Sequence, residues 1–171
     1  RGGSFIVAPG WSLVRGAVDV PGGACTWRTT AEWEYAARAG TDAAFPGGGN
    51  LVTGSEHCEP GLVLDDGTAL AAIAWYCATS GDTLHPAGTL TPNGWGLTDV
   101  CGNVYEWVHD WMTGYADTEP VDPWGPETGF QRLGRGGDTS DPPHHLRLGF
   151  RAAEDMIAVK RVGVRLARSA P

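Results

Sequence analysis

What most constrains this chain is the density of residues that interrupt regular backbone. Of its 171 residues, 38 are glycine or proline, about 22% against an average near 12%. Proline removes a backbone donor and glycine weakens helix and strand interiors, so long helices and a helix bundle are excluded. No Gly-X-Y period runs through the chain, which excludes a collagen-like rod. Hydrophobic residues make up 42%, enough for a packed core in one domain of this length. Eight tryptophans supply bulky anchors for segments that have no ladder of their own. The expectation is a single loop-dominated domain.

Charge is divided along the chain. Through residue 130 it carries four basic and sixteen acidic groups; from residue 131 onward it carries eight basic and four acidic ones. An acidic body repels phosphates, so nucleic acid is not an expected partner. Lys160 is the one lysine, and the other cations are guanidinium groups, suited to bidentate, partly buried pairing. The arginine-rich end is therefore expected to pack against the acidic body. No run approaches the ~20 apolar residues of a membrane-spanning helix. No signal-peptide pattern follows Arg1, and the absence of an initiator methionine is read as a processed or truncated chain. The four cysteines, Cys25, Cys58, Cys77 and Cys101, lack the CxxC spacing of zinc ribbons and thioredoxin-type sites. They allow three pairings if all are bridged, with free buried thiols as the alternative.

One helix is clear. Thr29-Thr30-Ala31-Glu32 has the form of a capping box, Trp33, Ala36 and Ala37 share a helical face, and Gly40 is a natural stop. The helix is expected over residues 30–39. Leu70 to Tyr76 reads as a buried turn of helix between turn-rich stretches at 41–66 and 78–96. Leu97 to Trp111 has neither a helical nor a strand period, and is read as a loop shaped by buried polar contacts or an ion. Arg132 to Gly137 and Val162 to Ala167 each read as a short strand. Arg1-Gly2-Gly3-Ser4 faintly echoes Arg135-Gly136-Gly137-Asp138, too briefly for a repeat.

Four blocks in order carry a resemblance. They are Thr29 to Gly40 (TTAEWEYAARAG), Asn93 to Trp107 (NGWGLTDVCGNVYEW), Arg135-Gly136-Gly137, and Val162 to Arg168 (VGVRLAR). Together they resemble the formylglycine-generating enzyme, or sulfatase-modifying factor, family. The resemblance implies an α+β, C-type-lectin-like domain with a small twisted antiparallel sheet, few helices and many ordered loops, covering residues 27–171 after a divergent segment 1–26. The loop from Cys58 to Cys77 also looks like bacterial members of that family. These two cysteines end a turn-rich loop and are expected to bridge, which would favour an extracytoplasmic location, periplasmic or secreted.

The departures bear on function. Family enzymes that oxidise a substrate cysteine carry a copper-binding cysteine pair just after the Arg-Gly-Gly motif, whereas residues 138–151 here contain no cysteine. Copper is therefore not expected. The resemblance also implies a structural calcium held by the Asp99 and Glu106 carboxylates and the Gly102 and Val104 carbonyls, a donor set calcium favours. The alternative is that Asp99 and Glu106 pair with C-terminal arginines. His144 and His145, read as strand neighbours with rings pointing apart, are expected to be a loop-packing pair rather than metal ligands. With Arg147 and Arg151 they form a candidate ligand surface; Arg147, Arg151 and Arg161 are otherwise expected to pair with the acidic body. The reading adopted is a catalytically silent, lectin-like binding or assembly subunit with a protein partner, in a complex that could be membrane-associated. The alternatives are an oxidoreductase of the same family and a diversified ligand-display protein varying over residues 138–161.

Overall fold

The computed structural model describes residues 18–20, 23–51, 56–115, 123–157 and 160–167. Helix α1 (Thr30–Arg38) forms as its sequence dictates. The Thr29 hydroxyl accepts from the Glu32 amide at 3.2 Å, and the Glu32 carboxylate returns to the Thr29 amide at 2.9 Å, so two donors that the first turn leaves open are satisfied reciprocally. Asp110 accepts from the Thr30 amide at 2.5 Å. Trp33, Ala36 and Ala37 face the core. The left-handed turn that ends α1 begins at Ala39 (φ 51°), one residue before the expected Gly40. Asn93 closes that end from a distant loop. Its Nδ2 donates to the Ala36 and Ala37 carbonyls at 2.8 and 3.0 Å, while its Oδ1 accepts from the Trp95 and Leu97 amides, both at 3.0 Å.

Strands β1 (Val18–Val20) and β2 (Gly23–Trp27) form an antiparallel hairpin. They belong to the segment expected to diverge, whose residues 1–17 and 21–22 lie outside the described residues. A second sheet contains β3 (Tyr105–Trp111), β4 (Arg132–Arg135), β5 (Ala152–Ala153) and β6 (Val162–Val164), in the order β5-β4-β3-β6. A one-turn helix, α2 (Glu154–Ile157), follows β5. The α+β class holds, but β3 and β6 run parallel, so this sheet is mixed rather than wholly antiparallel.

Two expected elements take a different form. Val162 to Ala167 is not one strand. β6 pairs with β3, Arg165 breaks the run, and β7 (Leu166–Ala167) pairs with β2 in the other sheet. Leu97 to Trp111 is a loop only up to Val104; the rest is an inner strand of the mixed sheet. Its alternation is real but its polarity is inverted. Glu106, Val108 and Asp110 are buried, while Trp107, His109 and Trp111 on the opposite face are only partly covered. Leu70–Ala72 is a 3₁₀ turn, within the apolar run expected to be helical. Trp33, Phe45, Leu70, Tyr76, Leu97, Val108, Leu133, Leu146 and Leu148 meet in one core. No helix among the described residues is long and apolar enough to cross a membrane.

Gly102 is where the loop and the sheet are pressed together. Its φ is +77°, and a Cβ there would lie 1.9 Å from the Trp75 carbonyl oxygen. The Asn103 amide donates to that same oxygen at 2.8 Å, and the Gly102 amide donates to Gly136 at 2.7 Å, so neither side can yield. Gly102→Ala is expected to cost more than the ~3 kcal/mol upper range of ordinary substitutions, read as loss of a cooperative melt. Gly40→Ala, with φ +87° but open space around it, should cost only about 1–2 kcal/mol.

Candidate functional site

The interior is organised by a charge cluster at the seam between the two sheets. Arg165 stands between β6 and β7, where the chain leaves one sheet for the other, and its side chain is only 4% exposed. Its Nε lies 2.9 Å from both oxygens of Glu106 and its Nη2 lies 2.6 Å from Oε1. The same Nη2 donates to the Thr98 and Asp99 carbonyls at 3.0 and 3.1 Å. Trp33 on α1 donates its indole N–H to Glu106 Oε2 at 2.7 Å. Burial alone would lower the Arg165 pKa; the charge and hydrogen bonds of Glu106, with the Asp99 charge, raise it instead. Arg28, buried beside this pair, is pushed down to about 10 by burial, despite the opposing pull of Glu106.

This geometry decides how the residues assigned to calcium stand. Glu106 pairs with Arg165, as the arginine alternative drawn from the sequence has it, whereas Asp99 meets Arg165 only through its main-chain carbonyl. The Gly102 carbonyl accepts from the Val104 amide at 2.9 Å. Asp99 Oδ2 accepts from the Gly88 amide at 2.6 Å, and Oδ1 is a buried oxygen with no hydrogen-bond partner. Asp99 thus suits a cation, whereas Glu106 could serve one only by sharing its oxygens with Arg165. The four residues do not fit calcium as a ready set.

The residues after Arg135-Gly136-Gly137 form a second, interlocked cluster. Asp138 and Asp141 are both buried, and Lys160 Nζ lies 2.9 Å from Asp141 Oδ1 and 3.6 Å from Asp138 Oδ1. The Asp138 amide donates to Asp141 Oδ2 at 2.9 Å. Burial pushes the Asp141 carboxyl up, but hydrogen bonds with Lys160, His145 and the Asp138 amide leave it below the ordinary value. His145 Nδ1 is 3.1 Å from Asp141 Oδ1. Sequence reasoning missed this cluster. Its signal was a chain with one lysine and two aspartates three residues apart.

His144 and His145 do not lie on a strand, and this corrects the geometry expected of them. Pro142-Pro143 starts a 3₁₀ turn over Pro143–Leu146, since proline's fixed φ suits a first helical position. The two rings meet edge to face at 4.1 Å, and His145 stacks on Phe150 at 4.5 Å. No group of three or more metal-ligating side chains occurs among the described residues. Arg147 lies 3.7 Å from Glu56, and Arg161 lies 2.9 Å from Asp82. Arg151 instead stacks on Tyr115 at 3.8 Å. Cys58 and Cys77 are joined in a disulfide. Cys101 is buried, donates to the Leu146 carbonyl at 3.1 Å, and has its pKa pushed up by burial and by the Glu106 charge. The side chain of Cys25 lies outside the described residues.

The pattern of the sulfatase-modifying factor enzyme 1-like domain matches residues 22–170. The chain belongs to that family. It is 39% identical over 116 residues to the formylglycine-generating enzyme of Thermomonospora curvata, covering 64% of this chain and 36% of that protein. It is 38% identical over 119 residues to that of Streptomyces coelicolor, covering 64% and 34%. The chain thus spans about a third of the length of these relatives. Among solved structures, Treponema denticola variable protein 1 matches with a TM-score of 0.69 and 31% identity, over 90% of this chain and 50% of that one. PvdO from Pseudomonas aeruginosa matches at 0.65 and 31%, over 87% and 54%.

Replacing Glu106 by glutamine strips the charge that Arg165 faces while leaving the guanidinium buried. Such a break costs about 3–5 kcal/mol, seen as a lower urea midpoint with an unchanged slope. Asp82→Asn, at an ion pair whose acid is 79% exposed, should change stability by about 1 kcal/mol at most.

Proposed function

We propose that this chain is a catalytically silent binding or assembly module on the formylglycine-generating-enzyme scaffold. One observation carries the reading: where family enzymes place a cysteine pair, residues 138–151 offer none, and the turn is filled by the Asp138–Asp141–Lys160 cluster. Thiolate chemistry needs an accessible, low-pKa sulfur. Cys58 and Cys77 are bonded to each other, and Cys101 is buried with its pKa raised. A protein partner or larger assembly is the natural target of such a module, and the disulfide supports an oxidising, extracytoplasmic compartment. The alternative, an oxidoreductase of the same family, rests only on the likeness to formylglycine-generating enzymes. Incubated with copper and a peptide bearing a sulfatase-type cysteine motif, the protein is expected to give no aldehyde above background. Turnover by pure protein would overturn the silent reading.

A second reading, ligand display by residues 138–161, is favoured by the likeness to a protein named variable protein 1. Calcium at Asp99 belongs to this proposal as well, supported by the buried Oδ1 that no donor reaches. An ion that binds the folded state raises its stability, so excess chelator is expected to lower the melting temperature, and Asp99→Asn should abolish that response. Unchanged melting, with metal analysis finding no calcium, would leave Arg165 as the charge that Glu106 answers.

A further inference from the structure

Residues 56–61 run as a strap along the outside of the domain, and every one of them is exposed. Burial of apolar surface therefore does little to hold the strap in place. Its described fastenings are of three kinds: a covalent bond, a hydrogen bond and ion pairs. Cys58 is bonded to Cys77, and the Tyr76 hydroxyl donates to the Glu59 carbonyl at 2.9 Å. The Glu56 carboxylate lies 3.4 Å from His144 Nδ1 and 3.7 Å from Arg147 Nη2. The ion pairs join a carboxylate that is 64% exposed to partners 25% and 45% exposed, and pairs this open to water hold weakly. The covalent bond is the strong fastening.

The two ends of that bond are unequal. Cys77 sits in a firm wall: its amide donates to the Asp141 carbonyl at 3.2 Å, its neighbour Tyr76 is fully buried, and Ser80 donates to the Thr139 carbonyl at 2.7 Å. Cys58 is exposed and sits on the strap itself, so a small dithiol can reach the bond. We propose that the Cys58–Cys77 disulfide is a redox latch. With the bond closed, Glu56 is held over His144 and Arg147. With it open, the strap lifts from the Cys58 end and uncovers the side of the His144 ring and the Arg147 guanidinium that Glu56 had faced, while the wall at Cys77 stays in place. The chemistry is a two-electron exchange. A dithiol gives two electrons and two protons, the sulfur–sulfur bond breaks to two thiols, and the dithiol closes to its own disulfide. The latch stands whether or not the module is catalytically silent.

The test uses the full chain with and without excess dithiothreitol. Diethyl pyrocarbonate labelling of His144 is expected to speed up about three- to tenfold on reduction, as local opening uncovers the ring. Cleavage by a glutamyl endopeptidase after Glu56 should rise in step, Glu59 being shielded by the Pro60 that follows it. Labelling of His85 and amide exchange in α1 should stay as they were. Cys58→Ser is expected to show the open behaviour without reductant and to ignore it. The latch is overturned if His144 labelling and strap cleavage do not change while alkylation shows both thiols free. It is equally overturned if the dithiol leaves the bond intact, or if α1 exchange rises together with the strap, which would make the disulfide a fastening of the whole fold.

Discussion

The domain is closed by the contact of one carboxylate with one guanidinium. Glu106 comes from β3, an inner strand of the mixed sheet, and Arg165 from the two-sheet crossover. Trp33 brings α1 to the same carboxylate, and the Thr98 and Asp99 carbonyls bring in the loop before β3. Helix, loop and both sheets thus meet at a single charged point. A buried ion pair adds little net stability over a well-packed apolar pair. What it does here is define register, because sliding β3 by one residue would turn Glu106 out of the seam and leave Arg165 buried alone. The glycine at 102 serves the same junction by letting the loop pass against Trp75.

The parts of this fold that were legible in the sequence are those in which local chemistry and tertiary role agree. Thr29, Glu32 and the Trp33–Ala36–Ala37 face spell a capped helix, and the helix is there. β3 was illegible because the row it sends into the main core is Glu106, Val108 and Asp110, while its aromatic residues, the buried Tyr105 and the half-buried Trp107 and Trp111, lie with His109 on the other face. Alternation rules look for apolar residues inside, and this strand buries acids because buried arginines and a helix N-terminus answer them. The break at Arg165 was hidden for a related reason. Val162 to Ala167 has the composition of one strand, and nothing local says that its two halves pair with different partners.

At the candidate site, the charge division of the sequence translated well. Arg135 meets Glu34, Arg161 meets Asp82 and Arg165 meets Glu106, so the basic end does close upon the acidic body. Local geometry was less legible. Pro142-Pro143 converts an apparent strand into a turn and brings two histidine rings together, and Asp138, Asp141 and Lys160 interlock in the turn after Arg135-Gly136-Gly137. Local pattern could not announce that cluster, since Lys160 is about twenty positions from the aspartates.

The asparagine that closes helix α1 has a bearing on the protein's chemical lifetime. Asn93 is followed by Gly94, a pair in which the glycine amide nitrogen meets little hindrance in attacking the side-chain carbonyl to expel ammonia. In the folded chain, that side chain is tied at both ends, its nitrogen to Ala36 and Ala37 and its oxygen to Trp95 and Leu97. To cyclise, it would have to release all four contacts and uncap the helix. Deamidation at this position is therefore coupled to opening of the fold, and a stored sample would accumulate aspartate and isoaspartate at residue 93 in proportion to the time its molecules had spent unfolded.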